Sequence, residues 1–146
     1  MKMAKISRKF KGHRCIIHDV STPTKTLELL ASVADDGCLK IWDPRRKGEV
    51  RSFQSKYPLT SAAFSFNGDR VYTGGIDNDI RIWNIGEDKV EETIEGHGDT
   101  VSSLSISFDG SYLMSNSFDE TIKIWDIRPA SSQRLKKTLS GHAQGN

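Results

Sequence analysis

The chain has 146 residues, 36% of them hydrophobic and 27% charged, with a formal net charge of +2. Such numbers fit one ordinary globular unit and exclude several classes: no run of 18 apolar residues suits a membrane span, and no apolar N-terminal stretch suits a signal peptide. Two cysteines, Cys15 and Cys38, match no CxxC pair, zinc spacing or disulfide framework, and no glycosylation sequon occurs, so the expected compartment is cytosol or nucleus.

In chain order, residues 1–11 read as a basic N-terminal arm with a β-like stretch from Ile6 to Phe10. Lys2, Lys5, Arg8, Lys9, Lys11 and Arg14 fall within the first fourteen residues without an acid. A solvated arm explains them better than direct RNA contact. Strands are then predicted near 15–20, 27–33, 38–43 and 49–54, near 60–65, 70–75, 79–85 and 90–95, and near 101–106, 111–116, 121–127 and 134–140. Asn67-Gly68 and Asp109-Gly110 each separate two β-type runs, a tight-hairpin signal because Gly accepts positive φ. The first such connection carries a longer loop at Ser21–Lys25, where Pro23 offers no ladder donor. Helical spacing is absent throughout.

Superposed on the strands is a period. Trp42, Trp83 and Trp125 end the phrases DDGCLKIWD, IDNDIRIWN and FDETIKIWD, and stand 41 and 42 residues apart. Asp36, Asp77 and Asp119 each precede a Trp by six residues, and Ser32, Thr73 and Ser115 by ten. His13 and His97 precede theirs by about 28, where the middle unit has Ser55. Gly-His pairs occur at Gly12-His13, Gly96-His97 and Gly141-His142. The units are 12–54, 55–95 and 96–140, with 141–146 opening a truncated fourth. Four strands per ~40 residues is the blade pattern of an all-β propeller.

A blade's buried polar groups must bond to one another. A His can donate to a turn Asp and accept from a hydroxyl, which can also meet the indole N–H. The expected networks are His13–Ser32–Asp36–Trp42 and His97–Ser115–Asp119–Trp125. Thr73, Asp77 and Trp83 lack the His, so theirs is expected to be weaker or water-filled. The same residue types could form a hydrolase triad, but a single active site would not repeat at the blade period. No G-x-S-x-G elbow, Walker loop, GxGxxG or HExxH accompanies them. No enzyme activity, cofactor or metal is expected. His18 reads as a strand-surface residue.

The Gly-His and Trp-Asp pairs in fixed register resemble the WD-repeat family over residues 6–142, with Trp83-Asn84 as a variant of Trp-Asp. The residue types at the network positions match that family's structural tetrad. TGGIDNDIRIWNI at 73–85 and GSYLMSNSFDETIKIWDIRP at 110–129 are similar to the branch of the family found in the U5 small nuclear ribonucleoprotein. That resemblance implies a non-enzymatic spliceosomal scaffold in pre-mRNA splicing, nuclear, beside the large U5 scaffold protein and other spliceosomal subunits, with RNA contact indirect. The alternative is a generic adaptor or peptide-binding module, such as a ubiquitin-ligase substrate receptor. The family's propellers have seven blades and this chain has about three, which implies a piece of a longer propeller or self-association through open blade faces. The residues just before the tetrad Asp, namely Asp35, Ile76 and Phe118, and those after the Gly-His turns, Arg14 and Asp99, are the candidate partner-binding positions.

Overall fold

A computed structural model describes residues 4–26 and 28–141. Lys2, Leu27 and His142 therefore lie outside the described residues. Twelve strands form: β1(Ile17–Ser21), β2(Leu30–Ala34), β3(Cys38–Trp42), β4(Glu49–Gln54), β5(Leu59–Phe64), β6(Arg70–Gly75), β7(Ile80–Asn84), β8(Lys89–Ile94), β9(Val101–Ile106), β10(Tyr112–Ser117), β11(Thr121–Asp126) and β12(Leu135–Ser140). They make three antiparallel four-stranded meanders, β1–β4, β5–β8 and β9–β12. The result is three blades of an incomplete propeller, with no helix among the described residues.

Local chemistry explains the connections. Asn67-Gly68 is not itself a two-residue turn. Gly68 N–H donates to the Ser65 carbonyl at 3.1 Å and Gly110 N–H to that of Ser107 at 2.9 Å, closing four-residue turns. Among these turn residues only the glycines take positive φ, +81° and +75°, so Gly closes a wider turn and Asn67 and Asp109 stay in ordinary backbone. The Ile6–Phe10 stretch, expected to be β-like, forms no strand. Instead Phe10 lies on Trp42, ring centroids 5.6 Å apart.

The core lies between blades. Ala31, Leu39, Ile41 and Phe53 of blade 1 meet Leu59, Ala62, Phe64, Val71 and Trp83 of blade 2. Tyr72, Ile80, Ile82 and Ile94 of blade 2 meet Val101, Leu104, Leu113, Trp125 and Ile127 of blade 3. Each blade thus presents a forward face and a back face, and the Trp belongs to the back one. Gly74 permits the second junction, because a Cβ there would stand 2.5 Å from Val101 Cγ1. This accounts physically for the unusual Gly74-Gly75 wording. Polar links also cross the junctions. Asp19 and Ser21 of β1 accept from the Ala62 and Phe64 amides at 3.0 Å each, and the Arg134 guanidinium clasps both Glu92 carboxylate oxygens.

Candidate functional site

The sequence-predicted networks form at one end of the blades. In blade 3, Trp125 Nε1–H donates to Ser115 Oγ at 2.8 Å. An indole can only donate, so the Ser115 hydroxyl donates onward to His97 Nε2 at 2.6 Å, and His97 Nδ1–H donates to Asp119 Oδ2 at 2.8 Å. Asp119 also accepts from the Gly98 amide and from the amide and hydroxyl of Thr121. Blade 1 repeats the chain: Trp42 Nε1–H to Ser32 Oγ at 2.8 Å, Ser32 to His13 Nε2 at 2.6 Å, and His13 Nδ1–H to Asp36 at 3.2 Å. Burial alone pushes the Asp119 and Asp36 carboxyls up, but their hydrogen bonds outweigh it and hold both below the usual carboxylate value.

The paired glycine explains itself through close approach. A Cβ on Gly96 would stand 2.7 Å from Trp125 Cη2, and one on Gly12 2.9 Å from Trp42 Cη2. Gly-His therefore places a bare backbone against the indole while the next residue turns its imidazole onto the hydroxyl.

Blade 2 departs from this. Trp83 Nε1–H still donates to Thr73 Oγ1 at 2.7 Å, and Ser55, at the expected His position, is buried. Arg81 takes over Asp77 instead, Nη2 to Oδ2 at 2.6 Å. Asp77 Oδ1 and Arg81 Nη1 are buried without a hydrogen-bond partner. An ion pair from the neighbouring strand thus stands where the other blades have an imidazole.

These Ser–His–Asp distances are those of a hydrolase triad, yet the serine is not presented as a nucleophile. Ser115 is completely buried, and its oxygen already accepts from Trp125. A substrate carbonyl has no approach to it, and catalysis of that kind requires one. Among the described residues no cluster of His, Cys, Asp and Glu has the arrangement of a metal site.

At the opposite end lies an element the sequence reading missed. Asp43 and Asp126 follow their Trp residues and are buried, and each receives three hydrogen bonds from one arginine two positions on, Arg45 or Arg128, through backbone N–H, Nε and Nη2. The Arg45 clasp holds the Asp43 carboxyl down to about 2. The signal was the repeated Asp-x-Arg after Trp, absent from Asn84-Ile85-Gly86.

The candidate partner-binding residues all lie at the tetrad end. Ile76 is 48% exposed and Phe118 67% exposed. Their amides donate to the Pro58 and Thr100 carbonyls, as that of Asp35 does to Ile16, which fixes all three turns alike. Asp35 differs from the other two in chemistry, since its carboxylate meets His18 Nε2 at 2.6 Å on the surface. Arg14 is exposed and lends Asp36 only its amide. Asp99 bonds the Thr100 amide at 2.6 Å.

The model of the WD domain, G-beta repeat, matches residues 4–43, 48–84 and 88–126. Each match ends on a Trp-bearing strand or the residue after it. The second and third also take in the outer strand of the preceding blade. Pre-mRNA-splicing factor cwf17 of Schizosaccharomyces pombe is 45% identical over 139 residues, which cover 94% of this chain and 41% of that protein. The U5 small nuclear ribonucleoprotein 40 kDa protein of Mus musculus is 38% identical over 98 residues, covering 67% of this chain and 27% of that protein. A solved structure of U3-55K superposes with a TM-score of 0.81 at 23% identity, covering 90% of this chain and 41% of that one, a likeness of fold. The chain spans less than half the length of each of these relatives. With three matched repeats, three four-stranded blades and two Trp–Ser–His–Asp networks, the chain belongs to the WD domain, G-beta repeat family.

Proposed function

We propose that the chain is a non-enzymatic protein-interaction scaffold acting in pre-mRNA splicing in the nucleus, with spliceosomal proteins as partners and RNA contacted indirectly. The observation that carries this reading is the 45% identity to a pre-mRNA-splicing factor across nearly the whole chain. The geometry agrees with it in two ways. Each hydroxyl that could act as a nucleophile in a triad is buried and already hydrogen-bonded by an indole. The same end of the blades exposes two large apolar side chains, Ile76 and Phe118, on rigid turns, and exposed apolar groups on fixed loops suit protein contact.

The test is purification of the tagged chain from nuclear extract, followed by mass spectrometry and probing for U5 RNA. Splicing proteins should be enriched. The Ile76→Ala/Phe118→Ala double variant should lose them while its circular dichroism stays unchanged. A bait that enriches no splicing protein removes the proposed role, and full capture by the double variant removes the patch.

A further inference from the structure

The two blade junctions differ at the end opposite the tetrads. Between blades 1 and 2, partly buried Leu29 and Ile85 pack against the core. Leu30 and Val71 each pair with the Trp of their own blade, so the ladder equivalent of Leu29 is Arg70. Ile127 follows Trp125 by two residues, as Ile85 follows Trp83. Arg70 does not pack as Leu29 does. Its guanidinium turns to Glu91, Nε to Oε2 at 2.5 Å, and to Asp69 at 2.8 Å. A cleft of about 300 Å³ is left between blades 2 and 3, with buried Tyr72, Ile82 and Ile127 at its base. The two blades that bound it adjoin in the chain, and each has all four strands.

Two features of this cleft point to an occupant. Tyr72 is 3% exposed, yet its hydroxyl has no hydrogen-bond partner among the described residues. The charges that act on that hydroxyl are those of Arg70, Arg134, Asp69 and Glu91, all of which line the cleft, so the phenol is aimed into it. Burial pushes its pKa up to about 12, which keeps it neutral and able to accept as well as donate. The second feature is charge. Asp69, Glu91, Glu92 and Asp109 line the cleft against Arg70, Arg128 and Arg134. Arg128 is held by buried Asp126, which is not part of the lining. Four carboxylates thus stand against two guanidiniums, an excess of two negative charges. Asp109 is bonded by the Ser107 hydroxyl and the Ser111 amide rather than by a cation, and the Asp69 side chain is 55% exposed. We infer that the cleft takes one basic side chain, arginine or lysine, from a partner protein. The alkyl stem suits the apolar base, the cation suits the surplus carboxylates, and an N–H reaches the Tyr72 oxygen. An anion would meet the surplus carboxylates, and an apolar group would leave the phenol unbonded. About 300 Å³ is small for a ligand pocket and gives room for a single side chain. The site lies at the end opposite Ile76 and Phe118, and it stands whether or not the splicing role does.

The experiment is a heteronuclear NMR titration of the backbone amides with three probes. They are N-acetyl-arginine amide, its neutral isostere N-acetyl-citrulline amide, and the anionic N-acetyl-glutamate amide. The arginine probe should shift the Gly110, Ser111 and Ile127 amides saturably, and the other two should leave them in place. Tyr72→Phe removes only an oxygen that has no partner, so the melting temperature should hold. Affinity for the arginine probe should fall about tenfold in that variant, the loss of one hydrogen bond to a charged group. Arg70→Leu places in the second junction the residue type that packs the first, and should abolish the shifts by filling the cleft. Attraction by surface charge alone would instead strengthen when Arg70 is removed. Tighter binding by Arg70→Leu therefore overturns the inference. So does the absence of saturable shifts, an equal response to citrulline or glutamate, or an unchanged affinity in Tyr72→Phe.

Discussion

Replacing His97 by alanine tests whether the repeated Trp–Ser–His–Asp chain stabilises the blade. The imidazole is the sole acceptor of the Ser115 hydroxyl and one of several donors to Asp119. Stranding a buried hydroxyl costs about 1–3 kcal/mol, and losing one of several bonds to a satisfied carboxylate costs about 0.5–1.5 kcal/mol. The His97 side chain is fully buried, so the space it leaves adds a cavity penalty. The sum is about 3–5 kcal/mol, a large share of the 5–15 kcal/mol typical of a whole domain. Blade 2 supplies the internal comparison. Thr73→Val strands one indole N–H, whereas Ser115→Ala strands both the Trp125 indole and His97 Nε2, so Ser115→Ala should cost roughly twice as much. Urea unfolding followed by Trp fluorescence measures all three. A His97→Ala cost below about 1 kcal/mol, or a Ser115→Ala cost no larger than that of Thr73→Val, would refute the reasoning.

Three further outcomes follow. Asp36, Asp43 and Asp119 have lowered pKa values in the fold, so the stability they contribute is complete above their unfolded value near 3.9 and drains away as pH falls through the folded values. The urea midpoint should therefore drop between pH 4 and about 2, less steeply in the Asp36→Asn/Asp119→Asn variant, and a midpoint constant over that range would contradict the hydrogen-bond pattern. Gly74→Ala drives a methyl into Val101 at 2.5 Å, with an expected cost of about 1–3 kcal/mol from overpacking, and an unchanged melting temperature would count against the tight junction. A fluorophosphonate probe should leave Ser32 and Ser115 unlabelled in the folded protein, and stoichiometric labelling of either would reopen hydrolase chemistry.

Much of the architecture was legible because it recurs. Three Trp residues at nearly fixed spacing put one strand in the same place on each of the three sheets, and the observed strands lie within a few residues of those predicted. Pairings that rest on side-chain reach were harder to read. Arg81 lies four residues after Asp77 in a phrase that elsewhere carries Lys40 or Lys123, and no sequence rule says it will turn back onto that Asp. Lys40, in the corresponding place, instead reaches Glu49 and Ser52. The difference follows from what is missing. With no His to donate, the Asp77 carboxylate attracts the nearest cation able to bend to it, and burial of that pair leaves one atom on each side without a partner. The Ile6–Phe10 stretch misled for a related reason: its residues are those of an outer strand, but a strand forms only where another edge accepts its hydrogen bonds.

Local pattern and global context thus control different parts of this chain. The tetrads are closed within single blades, so removing one should weaken that blade's own latch before it alters what the chain binds. The blade faces depend on a neighbour. Ala62 and Val20 are small or branched apolar residues at one ladder position, yet Ala62 is buried against blade 1 while Val20 is exposed among the described residues. The tetrad-end turns belong to neither class, since the backbone bonds of Ile76 and Phe118 are satisfied by adjacent loops within their own blades while their side chains stay in solvent. Substitutions at Ile76 and Phe118 should therefore leave the urea midpoint unchanged, so that a loss of partner capture by them reports the surface and not the fold.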